Sequence, residues 1–308
     1  MGAGQSNGSV LQSCRCFLAG FSRLDTDGEG EGTVMSRTNP WNRVEEIVAE
    51  VNQSGTAGVS LIGPDGATWQ HLGDRLFNPA STLKIPVMVE IYRRIDAGEL
   101  HLDDSWTLTD EVRVGGSGVL NQMRSGAAIT LADLLYLMIS ISDNVATDAL
   151  INMAGVEAIN RTTADLGMKN SRLAGTLCDA FAGAPELGRA TPNDYAGAIR
   201  AILDGKAASE ESCQVMTALL ETQQNRNRIA RYLPAPVPLS ETIRWGSKNG
   251  TTRGVCNDVG FIIGPNGRLV IAVYTEHYAD THVAEQVIGE IARAAMVDTG
   301  VVGPLYTS

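Results

Sequence analysis

Long apolar runs are missing from this sequence. No stretch reaches the roughly 18 apolar residues that a membrane-spanning helix needs, and the most apolar stretch, residues 131–141, is short and contains Asp133. The N-terminus also lacks a basic start followed by a long apolar core, so it does not look like a signal peptide. The sequence therefore predicts no membrane span and favours a cytoplasmic location.

Basic residues and cysteines are also scarce. There are 24 Lys and Arg against 35 Asp and Glu, a net charge of −11 that would repel a polyanion such as nucleic acid. The 5 cysteines are odd in number and scattered, which does not fit a disulfide framework. Cys14 and Cys16 form C-x-C without a second pair, so a zinc site is not expected. We predict a monomer with no cofactor, metal or nucleic-acid partner.

What is present is an ordinary globular composition, with 44% hydrophobic and 19% charged residues in a chain of 308. Residues 1–38 are rich in Gly, Ser, Asp and Glu without periodicity, and we expect them to be disordered. Strand patterns appear near both ends of the remainder, and helical patterns fill the middle. The expected strands are 58–62, 67–71, 242–248, 255–263 and 268–275.

This order predicts an α+β fold with an antiparallel sheet, flanking helices and an inserted all-helical domain. The sheet domain would comprise residues 39–80 and 208–308, and the helical domain residues 81–207. We expect an active site at the interface between them. Thr130 and Thr191 should cap helices, and Pro86 should bend its helix or lie in a first turn stabilised from outside.

Ser81 begins the stretch on which a functional hypothesis can be built. Lys84 follows three residues later, so on a helix that opens at Ser81 both side chains would lie on one face. A serine becomes a useful nucleophile when a base takes its proton, and a lysine is such a base only if burial or a neighbouring cation lowers its pKa. The motif alone is weak, since a surface serine and a solvated lysine give the same pattern.

Two further polar clusters strengthen the hypothesis. Ser142-Asp143-Asn144 interrupts the helical pattern after Ile141, where a hydroxyl and an amide can face a cleft. Lys248-Asn249-Gly250-Thr251 follows a predicted strand, and Lys248 would supply the second positive charge. Asp143 is expected to bond nearby backbone.

The three clusters, in this order, resemble the S-x-x-K, S-D-N and K-[ST]-G signature of class A β-lactamases and penicillin-binding proteins. The resemblance covers about residues 42–296 and includes the flanking segments 116–120, 189–192 and 257–260. It implies the β-lactamase/transpeptidase-like fold, a serine hydrolase and a small-molecule substrate, a β-lactam or another ester or amide that bears a carboxylate. Family analogy also implies a secreted or periplasmic location, against the missing signal peptide.

The resemblance assigns catalytic roles to four residues. Ser81 would attack a carbonyl and become acylated, and Lys84 would take its proton directly or through water. Ser142 would relay the proton to the leaving nitrogen, and Lys248 would tune that step electrostatically.

The resemblance also implies a substrate-binding set. The backbone N–H groups of Ser81 and Thr251 would form an oxyanion hole, and Asn144 would hold the substrate amide and orient Lys84. The remaining members of the set, around the substrate carboxylate, are Asn249, Gly250, Thr252 and Arg253, with Lys248 and Thr251.

Two departures from the family pattern bear on turnover. Asn249 stands where the family has Thr or Ser, and the segment before Pro192 lacks the Glu-x-x-Leu-Asn pattern whose glutamate activates the deacylating water. Glu186 is the glutamate in that segment, so it is the candidate base, although a solvated loop glutamate is the alternative. Asp179 is a weaker candidate.

Three functions therefore remain open. The first is a β-lactamase with an atypical deacylation loop. The second is an esterase, amidase or acyl-transferase of the same fold on a non-β-lactam substrate, which the loop, the altered triplet and the missing export signal favour. The third is a β-lactam-binding sensor without turnover.

Overall fold

The structure is a computed structural model that describes residues 40–184, 186–233 and 243–303. The expected disorder of residues 1–38 and the expected strand start at Thr242 lie outside the described residues. The described residues belong to one compact unit that begins at Asn39. Among them, no helix is both long enough and apolar enough to cross a membrane.

The described residues form nine strands. In chain order these are β1 (Thr56–Ile62), β2 (Thr68–His71), β3 (Ser105–Thr107), β4 (Ala128–Thr130), β5 (Arg172–Leu173), β6 (Gly188–Arg189), β7 (Arg244–Thr252), β8 (Val255–Gly264) and β9 (Gly267–Glu276). Five of them form one antiparallel sheet in the order β2-β1-β9-β8-β7, while β3 pairs with β4 and β5 with β6. The first and last strands in sequence are thus neighbours in the sheet.

The helices of the described part fall before, between and after these strands. They are α1 (Asn42–Val51), α2 (Lys84–Asp96), α3 (Leu131–Ser140), α4 (Asn144–Ala154), α5 (Val156–Asp165), α6 (Leu177–Phe181), α7 (Pro192–Leu203), α8 (Glu210–Glu221) and α9 (Thr281–Thr299).

The central strands of the sheet are buried on both faces, as β9 shows. Successive side chains of a strand point to opposite faces, and β9 is apolar at both. Leu269, Ile271 and Val273 pack in the core with α1 and α9. Their neighbours pack in a second core with α2, α4, α7 and α8, and are Val270, Ala272 and Tyr274. The helices from the two ends of the described chain therefore cover one face, and the inserted helical segment covers the other, which confirms the predicted α+β fold.

Several predicted helix starts are confirmed. The Thr130 hydroxyl accepts a hydrogen bond from Asp133 N, and the Asp133 carboxylate accepts one from Thr130 N, so the two form a capping box at the start of α3. The Thr191 hydroxyl caps α7 by accepting a hydrogen bond from Asp194 N, and Pro192 is the first helical residue. Such caps satisfy backbone N–H groups that have no partner inside the helix.

Pro86 lies in the first turn of α2, because a 3₁₀ turn over Ala80–Leu83 precedes the helix. A proline there removes no helical hydrogen bond, since the first N–H groups of a helix have no acceptor within it. The expectation that Ser81 opens the α-helix is wrong by three residues: Ser81 lies in the 3₁₀ turn, and α2 begins at Lys84.

Two other expectations are wrong. The strand predicted to end at Lys248 continues to Thr252, because Asn249, Gly250, Thr251 and Thr252 pair across a hairpin with residues 255–258. The Lys248 cluster therefore lies inside a strand rather than after one. The segment 81–207 was expected to be all-helical, but it also contains the short strand pairs β3–β4 and β5–β6. These strands are too brief to show a strand pattern in the sequence.

The predicted division into residues 39–80 with 208–308 and residues 81–207 stays a prediction. One apolar core is shared between the two parts, since it includes Met88 and Leu134 from the middle of the chain and Phe261 from β8.

Candidate active site

The junction between α3 and α4 carries Ser142 and Asn144. Asp143 is fully buried there, and its Oδ1 accepts from Ala146 N (3.0 Å) as the cap of α4. Its Oδ2 accepts from Val119 N (2.6 Å) and Leu120 N (2.9 Å). The expected structural role of Asp143 is confirmed: one carboxylate ties the neighbouring loop to the start of α4.

Lys84 points into this junction. Its side chain is 0% exposed, and Nζ donates to Ser142 O (2.8 Å), Ser142 Oγ (2.9 Å) and Asn144 Oδ1 (3.0 Å). The Asn144 amide is fixed from its other end, since Nδ2 donates to Gly115 O (2.8 Å). Three side chains that the sequence singled out are therefore joined by direct hydrogen bonds.

The electrostatic setting of Lys84 suits a base. Burial, and then the positive charge of Lys248, hold the pKa of the Lys84 amine well below its usual value, and the Asp143 carboxylate only partly opposes this. A lowered pKa makes the unprotonated amine, the form that can take a proton, more accessible than it is in a solvated lysine. A solvated surface lysine, the alternative considered from the sequence, does not have this environment.

Lys248 is the second buried amine. Its Nζ donates to Asn249 O (2.8 Å) and Asn249 Oδ1 (3.2 Å). Burial lowers the pKa of Lys248 to about 7, with the Asp258 carboxylate acting in the opposite direction and Arg228 in the same one. The charge of Lys248 therefore changes near neutral pH.

Strand β7 lies directly against the turn that carries Ser81. A Cβ added at Gly250 would lie 2.8 Å from Ser81 N, 3.0 Å from Ala80 Cβ and 3.0 Å from Pro79 O. Only a glycine allows the strand this close. This contact brings the backbone N–H of Ser81 beside β7.

A cavity of about 440 Å³ lies over these groups. One side, which we call the core wall, is formed by the turn 78–81, the segment 116–117, the start of α4 and the end of β7, and its lining residues are Asn78, Ala80, Ser81, Gly116, Ser117, Asn144, Thr251 and Thr252. The other side, the loop wall, consists of residues 174–184 and 186–187 between β5 and β6, and it contributes Leu177, Ala180, Phe181, Ala184, Glu186 and Leu187.

The start of the loop wall is bonded to α4. Asp148, on α4, accepts from Leu177 N (2.7 Å) and Cys178 N (3.2 Å) at the start of α6. Phe181, at the end of α6, is 63% exposed. A Cβ added at Gly116 would lie 3.5 Å from the Phe181 ring and 2.5 Å from Asn144 Nδ2, so the ring reaches across to the core wall.

Glu186 lines the cavity, but both of its oxygens are engaged. Oε1 accepts from Arg172 (2.6 Å) and Oε2 from Arg189 (3.1 Å). The hydrogen bonds from Arg189 and Arg172 lower the pKa of Glu186, so it is ionised at neutral pH. The Asp179 carboxylate accepts from the backbone N and the hydroxyl of Thr176 in a capping box. The role of Glu186 as a base stays a prediction.

The predicted binding residues are placed unequally. Thr251 and Thr252 line the cavity, while the Asn249 amide oxygen faces Lys248. Arg253 is exposed in the turn after β7, beyond the lining residues. Its place in the substrate site stays a prediction.

Arg228 was missed by the sequence analysis. It is 2% exposed and pairs with Glu285 (3.2 Å). Its Nη1 donates to Gly250 O (3.0 Å) and Asn257 O (2.7 Å), and Nη2 donates to Thr251 Oγ1 (2.5 Å). The segment around it, Asn225-Arg226-Asn227, is typical of an exposed polar loop, so no local pattern distinguishes Arg228.

Residues 39–298 match a family model described as the beta-lactamase enzyme family. The chain belongs to the beta-lactamase enzyme family. A β-lactamase of Rhodobacter capsulatus is 31% identical over 191 residues, which cover 60% of this chain and 65% of that protein.

Solved structures are similar to this chain. The crystal structure of a β-lactamase from Sphaerobacter thermophilus has a TM-score of 0.81 and 48% identity, covering 86% of this chain and 99% of that one. PBP-A, at 24% identity, shares the fold with a TM-score of 0.72 and covers 82% of this chain and 95% of its own. The resemblance to class A β-lactamases and the assignment to an enzyme family of serine hydrolases are thereby confirmed.

Within the described ranges, no three His, Cys, Asp or Glu side chains are grouped so as to hold a metal ion.

Proposed function

We propose that the protein opens β-lactam rings by forming an acyl-enzyme on Ser81. The observation that carries the proposal is the environment of Lys84, a fully buried amine of lowered pKa. It is hydrogen-bonded to Ser142 and to Asn144, which lines the same cavity as Ser81. The names of the relatives support β-lactams as the substrate class.

In the first step Ser81 Oγ would bond to the lactam carbonyl carbon while Lys84 takes the hydroxyl proton. The backbone N–H groups of Ser81 and Thr251 would stabilise the negative charge on the carbonyl oxygen, a contribution typically worth about 3 kcal/mol per donor. The ring C–N bond then breaks, and the nitrogen takes a proton through Ser142. The Lys84–Ser142 hydrogen bond provides the path by which Lys84 returns the proton to Ser142.

The substrate carboxylate would lie at the β7 end of the cavity. Lys248 supplies positive charge there, and Arg228 holds the Thr251 hydroxyl by hydrogen bonding to it. We retain Thr252 and Arg253 as outer members of this carboxylate site and Asn249 as a residue that acts through Lys248.

Release of the acyl group requires a water and a base. Glu186 is the proposed base, because it lines the same cavity as Ser81 and is ionised. Its two arginine partners reduce its basicity, since each stabilises the carboxylate form. We therefore propose slow deacylation, which also keeps a β-lactam-binding protein without turnover as the second candidate function.

The decisive experiment combines turnover with intact mass. The protein is mixed with a chromogenic cephalosporin, and separately with a panel of simple esters. We expect cephalosporin hydrolysis through an adduct, and loss of both adduct and hydrolysis in Ser81→Ala. The control is Ser54→Ala, an exposed serine after α1, which should behave like the wild type.

The other outcomes identify the alternatives. A stoichiometric adduct that persists without hydrolysis supports the binding protein. Ester cleavage with intact cephalosporin supports an esterase or acyl-transferase and rejects the proposal.

A further inference from the structure

The turn that carries Ser81 is strained. Ala80, the residue before Ser81, has a φ of +45°, a left-handed conformation that alanine rarely adopts because its Cβ approaches the backbone. Such residues persist only where their surroundings hold them. The direction of the Ser81 backbone N–H follows from the conformation of Ala80, so whatever holds this turn also sets the proposed oxyanion hole.

Part of the support comes from the turn itself. Asn78 Oδ1 accepts from Ala80 N (2.8 Å), and Thr82 Oγ1 donates to Pro79 O (2.8 Å). The Thr82 hydroxyl also shares a hydrogen bond with the hydroxyl of Tyr274 on β9 (2.9 Å). These bonds fix the ends of the turn, but they leave the carbonyl of Asn78 without a donor from within the turn.

The side chain of Asn257, on β8, is the donor to the Asn78 carbonyl. It is 0% exposed, and its Nδ2 donates to Asn78 O (2.9 Å) and to Pro79 O (3.2 Å). Its Oδ1 accepts from Thr275 N (3.1 Å) on β9, which fixes the orientation of the amide. One side-chain amide therefore fastens two consecutive carbonyls of the strained turn to the sheet.

The amide is also fixed relative to the β7 side of the cavity. Asn257 pairs with Gly250 across the sheet, and its backbone carbonyl accepts from Arg228 Nη1 (2.7 Å). The same guanidinium donates to Thr251 Oγ1. Asn257 therefore bonds to the turn directly and to the β7 end of the core wall through Arg228.

We infer that Asn257 is a positioning residue for acylation, which holds the strained turn 78–80 so that Ser81 faces the substrate carbonyl. It touches no substrate and acts through the carbonyls of Asn78 and Pro79. The inference rests on the proposed role of Ser81 as the nucleophile.

The test is a double-mutant cycle that compares the wild type, Asn257→Asp, Ala80→Gly and the double variant. Aspartate has the shape of asparagine but places an oxygen against the two carbonyls in place of the donor. Glycine at position 80 adopts a positive φ without the Cβ contact, so the turn then needs less support. A residue that merely stabilises the sheet through Thr275 would cost the same in both backgrounds.

The readout is the rate constant for labelling Ser81 with an alkyl fluorophosphonate, followed by intact mass. In that reaction Ser81 Oγ bonds to phosphorus, fluoride leaves, and the serine proton passes to the base. This probe does not depend on the natural substrate, so absence of cephalosporin hydrolysis in the wild type would reject the proposed function without affecting the test of Asn257. Absence of labelling in the wild type would reject both.

We expect Asn257→Asp to slow labelling by about a hundredfold, the size of effect that a misplacement of about 1 Å produces, and to slow it only a few-fold in the Ala80→Gly background. Equal losses in the two backgrounds, or no loss in the folded single variant, would overturn the inference. Rates are normalised to the folded fraction from circular dichroism. If Asn257→Asp does not fold, the shorter Asn257→Ser is carried through the same cycle and is judged by the same two criteria.

Discussion

The two walls of the cavity are built differently. Behind the core wall, Lys84 and Asp143 are fully buried and bonded to main chain, although Thr251 and Thr252 in the wall itself are exposed. In the loop wall Phe181 is exposed and Glu186 is held by arginines that are themselves about half exposed. Buried hydrogen-bond partners are costly to lose, at about 1–3 kcal/mol each, whereas exposed ion pairs contribute about 0–1 kcal/mol. Lys84, proposed for acylation, is thus held by bonds that are costly to lose. Glu186, proposed for release of the product, is held by weaker, exposed ion pairs.

The largest expected effect is a difference in the free energy of unfolding between two variants. Each loses a carboxylate at the start of a helix, Asp143 beside the core wall or Asp179 in the loop wall. Asp143→Ala leaves three backbone N–H groups without their acceptor and should lower the free energy of unfolding by at least about 3 kcal/mol. Asp179→Ala removes the exposed capping-box partner of Thr176 at the start of α6 and should cost much less. Denaturant unfolding of both variants measures this, and similar costs would show that the walls do not differ in the way described.

The second prediction concerns the lifetime of the acyl-enzyme. Glu186→Gln cannot take a proton from water, so the adduct should persist about a hundredfold longer, within the usual range for losing a general base. Arg172→Gln should shorten the lifetime, because the carboxylate loses one of the cations that lower its pKa. Quenched mass spectra over time give both values. An unchanged lifetime in Glu186→Gln would remove this residue from the mechanism.

The third and smallest expected effect is the dependence of kcat/KM on pH, which we attribute to the charge of Lys248. The pKa of Lys248 is lowered to about 7, so its positive charge is present below that pH and is lost above it. We expect kcat/KM for a carboxylate-bearing β-lactam to fall about tenfold as pH rises past this value, which corresponds to a loss of about 1.4 kcal/mol of attraction for the carboxylate. In Lys248→Arg the charge persists at high pH, so this alkaline limb should disappear even if the overall rate is lower. The same limb in both proteins would assign it to another group.

Local patterns predicted much of the fold because the physical cause is itself local. Leu131, Leu134, Leu135 and Met138 recur at helical spacing, and Thr130 caps them, so α3 could be placed from sequence. The far end of β7 could not, since Asn249 to Thr252 are polar or small and become a strand only by pairing with β8.

The candidate site was predicted in the same uneven way. Ser81, Lys84, Ser142 and Lys248 were found because motifs mark them. Arg228 and Asn257 reach their partners across the fold: Asn257 bonds to Asn78, 179 positions earlier. The segment 257–260 is part of the family resemblance, but the bond from Asn257 to that distant carbonyl could not be predicted from its own neighbourhood.

The pairing of β1 with β9 has a consequence for biosynthesis. Thr56 lies opposite Glu276, so the centre of the sheet cannot close until nearly all of the described chain has left the ribosome. Contacts between distant parts of a chain form slowly, and exposed strand edges in the meantime are prone to aggregation. A nascent chain cut short before β9 should therefore have no partial activity, and the β1 edge that pairs with β9 stays exposed until β9 has been made.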